Sequence, residues 1–373
     1  MKSISVYIHI PFCIKKCSYC SFYSIRAQSG IVEKYVDAVV EEINLRKELL
    51  SHRKIKTVYF GGGTPSLLNP HILEKIIETL HQVSSFHEDA EITLEVNPET
   101  VEEGKFYGFR RMGINRISLG AQSFNDRSLK LLKRVHDSAK IKRAFERLRK
   151  IGFENINIDV IMGIPSEEKR DFLHTLEETV KLNPEHISVY SLEYHKNTPL
   201  YLDMMDGKIT PISKELERVL YFETLELLKR RGYIHYEISN YSKPGKESRH
   251  NLNYWLGGEY IGFGASSVSY FNGMWTKNEE IYSFLEKVNR GIIPIRRMEI
   301  LSKDKRKRML FILNLRLVKG VSLEEYRLHD FSPNFIEKLK ALQKMGLMIK
   351  DTETIRLSDE GIILSNEVFS LLI

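Results

Sequence analysis

From the N-terminus to Ser191, short apolar runs alternate with longer amphipathic ones. The short runs are Ser5–Ile10, Thr57–Phe60, Glu91–Val96, Arg116–Leu119, Ile156–Ile161 and His186–Ser191, and they read as strands. Helical periodicity falls between and after them, over Val32–Leu50, His71–Gln82, Val101–Met112, Leu129–Ile151, Lys169–Lys181 and Ser213–Arg231. Strands alternating with helices in this way predict an α/β parallel sheet. Right-handed crossovers wind such a sheet towards a barrel or partial barrel, with its chemistry at the carboxyl ends of the strands.

The pattern changes after Gly232. Tyr236 to Asn272 is aromatic and rich in Asn and Gly, without a helical period. From about residue 302 a basic segment begins, ending in a helix over Lys338–Met345, a hairpin of Leu347–Lys350 and Ile355–Leu357, and a helix over Ser358–Leu372. Helix, wing and helix predict a small winged-helix-like module. The expected organisation is a barrel domain over 1–235, an aromatic and Gly-rich extension over 236–300, and the terminal module over 301–373.

Composition changes this picture little. With 42% hydrophobic and 28% charged residues the chain is an ordinary globular one, and no apolar run approaches the roughly 20 residues a membrane span needs. The net charge of +7 is densest at Lys303–Arg308, a run expected to be a solvated helix face. Nucleic acid is therefore not an expected partner, and no Arg/Lys-rich recognition helix stands out in the terminal module. The mild basicity suits an acidic small molecule carrying carboxylates. No targeting segment is read ahead of the first strand, so a cytoplasmic location is expected.

The chemistry begins at Cys13, Cys17 and Cys20, the chain's 3 cysteines, which follow the first strand. An odd count in so short a stretch cannot form a disulfide framework. Zinc would need a fourth donor, and C-x3-C is an unusual zinc spacing. Inert packing does not explain why the cysteines share one polar loop with Lys15 and Lys16. Three thiolates suit an iron–sulfur cluster with one iron left without a protein ligand.

Other strand ends carry matching features. Gly61-Gly62-Gly63-Thr64-Pro65 follows the second strand and lets backbone approach a ligand closely, while lacking the lysine of a phosphate loop. On its own it reads as a tight strand-to-helix turn; beside a cluster with an open iron, its carbonyls would instead hold the ammonium group of an amino acid chelating the iron. Glu95 is a carboxylate in an apolar strand, where it needs a partner such as a ribose diol or a structural lysine. Gln122, Arg134 and Asp159 lie at later strand ends or in the next helix. Tyr19 offers a flat face for an adenine, and Tyr7 closes the pocket or belongs to the core.

Together these residues resemble the radical S-adenosylmethionine (SAM) superfamily, through Cys13, Cys17, Tyr19, Cys20 and the glycine-rich Gly61–Pro65. The resemblance implies a partial (β/α)6 barrel, a 4Fe–4S cluster held by the three cysteines, and SAM chelating the fourth iron. One electron from the cluster would then cleave SAM to methionine and a 5′-deoxyadenosyl radical. Tyr7, Gly62, Gly63, Thr64, Glu95, Gln122, Arg134 and Asp159 would line the SAM pocket.

Within the superfamily the chain resembles the branch of oxygen-independent coproporphyrinogen III dehydrogenase and the HemW haem chaperones. The stretches Tyr7–Cys13, Gly61–Pro65, Gly120–Phe124 and Asn157–Pro165 carry this likeness. The dehydrogenase has a fourth cysteine two places after the third, where this chain has Phe22, and a long segment before the cluster, where twelve residues precede Cys13. The stretch His250-Asn251-Leu252-Asn253-Tyr254-Trp255 matches the H-N-x-x-Y-W of the chaperones. Imidazole is a good haem-iron ligand, so His250 is a candidate haem contact, with a hydrogen-bonded core histidine as the alternative. The resemblance implies haem as a third cofactor, a haem-acceptor protein and an electron donor as partners, and transient membrane contact at delivery. The competing expectations are radical decarboxylation of coproporphyrinogen III and, through the terminal module, DNA binding.

Overall fold

The computed structural model describes residues 2–28 and 30–373. The chain opens with β1 (Lys2–Ile10), followed by two short pieces, β2 (Phe12–Cys13) and β3 (Ile25–Arg26), which pair in parallel. That pairing ties the neck of the loop carrying Cys17 and Cys20. The alternating unit continues with α1 (Ile31–Leu45), β4 (Arg53–Gly62), α2 (Pro70–Val83), β5 (Ser85–Val96), α3 (Glu103–Arg111) and β6 (Arg116–Gln122). It closes with α4 (Asp126–Leu131), α5 (Ser138–Ile151), β7 (Ile156–Met162), α6 (Lys169–Lys181) and β8 (His186–Ser191). Strands β1, β4, β5, β6, β7 and β8 lie side by side in that order, all parallel. The expected strands are all present.

Two helical expectations in this alternating unit are corrected. Leu129–Ile151 is not one helix, because α4 stops at Leu131 and the chain turns through Lys133 at φ 59° before Asp137 caps α5. Val32–Leu50 ends at Leu45, where Arg46 turns inwards to bond Glu42 at 2.8 Å, and a single 3-10 turn follows.

One set of alternate strand residues packs against the helices: Ile4, Val6 and Ile8, then Val58 and Phe60, then Ile117 and Leu119, all at 0% exposure. The opposite set faces the concave side of the sheet and is polar. Ser5, Thr57, Thr93, Ser118, Asn157 and His186 are all buried there. Burying such groups is tolerated when they satisfy one another. Thr57 Oγ1 donates to Ser5 Oγ at 2.8 Å, Asn157 Nδ2 to Ser118 Oγ at 2.8 Å, and His186 Nδ1 meets Asn157 Oδ1 at 2.7 Å.

Beyond β8 come α7 (Pro199–Met205), α8 (Lys214–Arg230), β9 (Ile234–Glu237) and β10 (Asn240–Ser242). Next are α9 (Arg249–Trp255), β11 (Tyr260–Phe263), β12 (Val268–Phe271), β13 (Met274–Asn278), α10 (Ile281–Asn289) and β14 (Ile295–Ile300). β10 adds antiparallel to β8 and β11 adds parallel to β1, so one 12-stranded sheet runs from β14 to β9 and stays open as a partial barrel. The aromatic stretch that lacks a helical period therefore contains α9, at 7 residues too short to display one. Residues from α11 (Lys303–Asn314) onward form β15 (Val321–Ser322), α12 (Pro333–Lys344), β16 (Met348–Lys350), β17 (Thr354–Leu357), α13 (Asp359–Ile363) and α14 (Ser365–Leu372). Three of these strands make a small sheet in the order β15-β17-β16. The terminal helix expected as one piece is split at Leu364. The basic run on α11 pairs with acids, Lys307 with Asp330 and Arg308 with Asp304, as a solvated face would.

Candidate cofactor site

The cysteine loop is fixed from three sides. Ala27 N donates to Cys13 O at 3.0 Å, Ser18 N to Leu132 O at 3.2 Å, and Leu200 N to Ser18 O at 2.9 Å. The thiols are free and partly exposed, and burial raises the pKa of Cys13 and Cys20. Thr64 Oγ1 points at Cys13 Sγ from 3.8 Å. Arg134 NH1 donates to Cys17 Sγ at 3.2 Å, and its NH2 reaches Asn97 Oδ1 at 2.7 Å and Gly120 O at 3.0 Å. Asn97 Nδ2 completes the ring by donating to Thr64 Oγ1 at 2.9 Å. The break between α4 and α5 is what lets Arg134 reach this loop. His9, close in sequence to the cysteines, turns away and engages Tyr7 OH and Tyr23 O, each at 3.0 Å.

The glycine turn is tight for a local reason. Gly63 N and Thr64 N donate to Ile10 O and Phe12 O, both at 2.8 Å, fastening the turn to the end of β1. Gly62 has φ +114°, and a Cβ there would sit 2.4 Å from His9 Cε1. Its amide donates to Glu95 Oε2 at 3.0 Å, while Tyr59 OH donates to Glu95 Oε1 at 2.9 Å. These two groups are the partners that a carboxylate in an apolar strand requires, and no lysine is involved. Burial still pushes the Glu95 pKa up to about 7. Asp159, likewise raised by burial, accepts from Asn157 Nδ2 at 2.7 Å and Ser118 Oγ at 3.0 Å. Gln122 takes φ 70° at a bulge in the β6–β7 pairing. Tyr19 packs against Leu132, Ile161 and Ile164, and Tyr7 is half-buried on the concave side of β1.

By their chemistry the residues present suit a thiolate-bound cluster: three soft donors share one loop, and among the described residues no carboxylate or imidazole is bonded to them, nor is any trio of His, Cys, Asp or Glu gathered to hold a single metal ion. Beside Cys17, Arg134 Nε is buried with no hydrogen-bond partner among the described residues. Such an orphan next to the thiols is a feature a bound ligand would satisfy.

His250 lies apart from this cluster. Its Nδ1 meets Thr57 Oγ1 at 2.7 Å, five residues before Gly62 on β4, or roughly 16 Å below the glycine turn at the usual strand rise. Its Nε2 meets Tyr254 OH at 2.9 Å, so both ring nitrogens are engaged and the residue is 1% exposed. Glu91 places it, accepting from Arg249 N at 3.1 Å and His250 N at 3.0 Å at the start of α9. Trp255 lies under the Arg316 guanidinium, 4.2 Å from its ring centre. Sequence reading passes over Tyr59, Thr57 and Glu91. Their signal was the polar alternation within β4 and β5, which a sheet covered on both faces does not ordinarily show.

The superfamily model for radical SAM proteins matches residues 7–179, and the model of the HemN C-terminal domain matches residues 301–364. The structure of HemN, coproporphyrinogen III oxidase from Escherichia coli, superposes with a TM-score of 0.86 at 26% identity, covering 100% of this chain and 90% of that one. Fold and thiol loop thus define a radical SAM protein, a class whose members imply a 4Fe–4S cluster and SAM. The heme chaperone HemW of Bacillus subtilis is 33% identical over 371 residues, 98% of each chain, and that of Buchnera aphidicola subsp. Schizaphis graminum 37% identical over 355 residues, 92% of each. The chain belongs to the HemW family.

Proposed function

We propose that this protein is a haem chaperone, which binds haem and passes it to an acceptor protein while keeping the cluster and SAM site of a radical SAM scaffold. The observation that carries this reading is the end-to-end match to relatives named heme chaperone HemW, 98% of both chains in one case. Cys13, Cys17 and Cys20 would hold the cluster. Tyr7, Tyr19, Gly62, Gly63, Thr64, Glu95, Gln122, Arg134 and Asp159 would surround SAM, with Glu95 receiving the ribose hydroxyls. When bound, the cluster supplies the electron that SAM chemistry needs, drawn from a separate donor protein.

His250 is the proposed iron ligand. Burial, with the Arg116 charge adding to it, holds its pKa at about 3, so its imidazole stays neutral as iron ligation requires. Its present partners are two hydroxyls, which exchange more readily than charged groups would. His250 would hold the iron through Nε2, which would then give up its bond to Tyr254 OH. Among the described residues no helix is long and apolar enough to cross a membrane, and the proposed place of work is the cytoplasm.

The structural likeness to HemN favours a second reading, oxidative decarboxylation of coproporphyrinogen III. Against it, Phe22 takes the place of the dehydrogenase's fourth cysteine and is 67% exposed beside the loop. Haem titration followed by Soret absorbance tests the first reading. Saturable binding by the wild type, weakened at least ~10-fold in His250→Ala, supports it, in keeping with the loss of one ligand bond. No binding by the wild type rejects it.

A further inference from the structure

Arg116 heads the largest side chains that this fold buries completely, at 2% exposure. It opens β6 in register with Thr93 of β5. Ile117 and Leu119 pack towards the helices, so Arg116 shares the concave face with Ser118, whose hydroxyl bonds Asp159 at 3.0 Å. Arg116 Nε and Thr93 Oγ1 are both buried, and neither has a hydrogen-bond partner among the described residues. Guanidinium cannot shed its proton, so an unpaired buried arginine is a costly arrangement that needs a reason.

The carboxylates nearby do not supply one. Asp159 feels the Arg116 charge but gives its oxygens to Ser118 and Asn157. Glu91 gives both of its oxygens to the first amides of α9. The other groups that feel this charge are His186, His250, Tyr59 and Tyr236, none of them anionic at neutral pH. A charged planar fork with an unpaired hydroxyl beside it is a donor set complementary to a carboxylate.

We propose that Arg116, assisted by Thr93, receives a peripheral carboxylate of the tetrapyrrole, in the same polar interior into which α9 carries His250. This inference rests on the haem-chaperone reading. A metallated tetrapyrrole presents an iron and propionates on one rigid frame, and Arg116 and His250 offer a receptor for each.

The test compares haem with haem dimethyl ester, whose propionates are neutral, on the full-length wild type, Arg116→Met and Arg116→Lys. The wild type should prefer haem by about tenfold or more. Arg116→Met should abolish that preference by weakening haem alone, and Arg116→Lys should restore part of it. Because the replacement removes an unpaired buried charge, the ligand-free Arg116→Met protein should melt no lower than the wild type. Equal affinity of the wild type for acid and ester overturns the inference, as does an equal loss of both ligands in Arg116→Met. If Arg116→Met does not fold, Thr93→Val serves instead: a reduced preference supports the assignment and an unchanged one overturns it. A wild type that binds neither compound removes the haem reading and this inference together, whereas one that binds both equally removes only the inference.

Discussion

The ring of Tyr59 stacks on the imidazole of His250, with centroids 5.0 Å apart and planes inclined by 28°. The same side chain donates its hydroxyl to Glu95 Oε1 at 2.9 Å. One residue of β4 thus touches the carboxylate proposed to hold SAM and the imidazole proposed to hold haem. Tyr59→Phe keeps the stack and removes the bond to Glu95. SAM affinity should fall by about tenfold, the usual worth of a hydrogen bond to a charged group, with haem affinity within about twofold of wild type. Tyr59→Leu, which also removes the ring, should weaken both ligands. Isothermal titration with each ligand separates these outcomes.

Glu95 gives a pH dependence of definite sign. Its pKa rises from 4.5 in the unfolded chain to about 7 in the fold, so the native state holds a proton that the unfolded chain releases between those values. Stability contributed at this position is therefore present below pH 4.5 and is lost as pH rises to about 7, after which the loss is constant. Across that window the wild type should lose roughly 3 kcal/mol relative to Glu95→Gln. Urea unfolding of the two proteins at several pH values reads this difference directly. Referring it to the variant matters because His9 and His235, held down at about 4 by burial, add terms of the opposite sign between that value and 6.5.

Two glycines should respond in opposite ways to alanine. At Gly62, φ +114° and the 2.4 Å approach to His9 leave no room for a Cβ. Gly62→Ala should cost about 2 kcal/mol or more and abolish SAM binding. At Gly104, near the start of α3, a Cβ meets nothing within 4 Å. Gly104→Ala should stabilise the protein by up to about 1 kcal/mol and leave both ligands bound as before. Thermal melts and SAM titrations distinguish the two.

Glu91 holds the start of α9 through Arg249 N at 3.1 Å and His250 N at 3.0 Å. Glu91→Ala leaves these amides without that acceptor and should cost about 1–2 kcal/mol. Hydrogen exchange should then quicken in α9 well before it quickens in β4. Uniform protection across both elements would contradict the assigned capping role.

The parts of this molecule that could be read from the sequence are those fixed by local period. The six parallel strands show as apolar runs, and the cysteine loop and glycine turn show as spacings at the strand ends. What stayed hidden depends on tertiary context. The interruption between Leu131 and Ser138 follows from a left-handed turn at Lys133 inside an otherwise helical pattern, and it is this turn that brings Arg134 to Cys17. α9 is too short to announce itself and is ordered by Glu91, 158 residues away from Arg249. In the sequence pattern Arg116 opens one strand and Thr93 lies inside another, and only their register places them side by side in a buried interior. His250 was marked by its motif, but no pattern of residues could say that both of its nitrogens would be occupied.

Haem carriage and porphyrinogen chemistry are separated on one anaerobic, cluster-reconstituted preparation given SAM and a low-potential reductant. Haem is titrated into one portion, and coproporphyrinogen III is incubated with another and its products separated. Saturation with haem and no protoporphyrinogen is the predicted result. Protoporphyrinogen formed by protein that takes up no haem would contradict it.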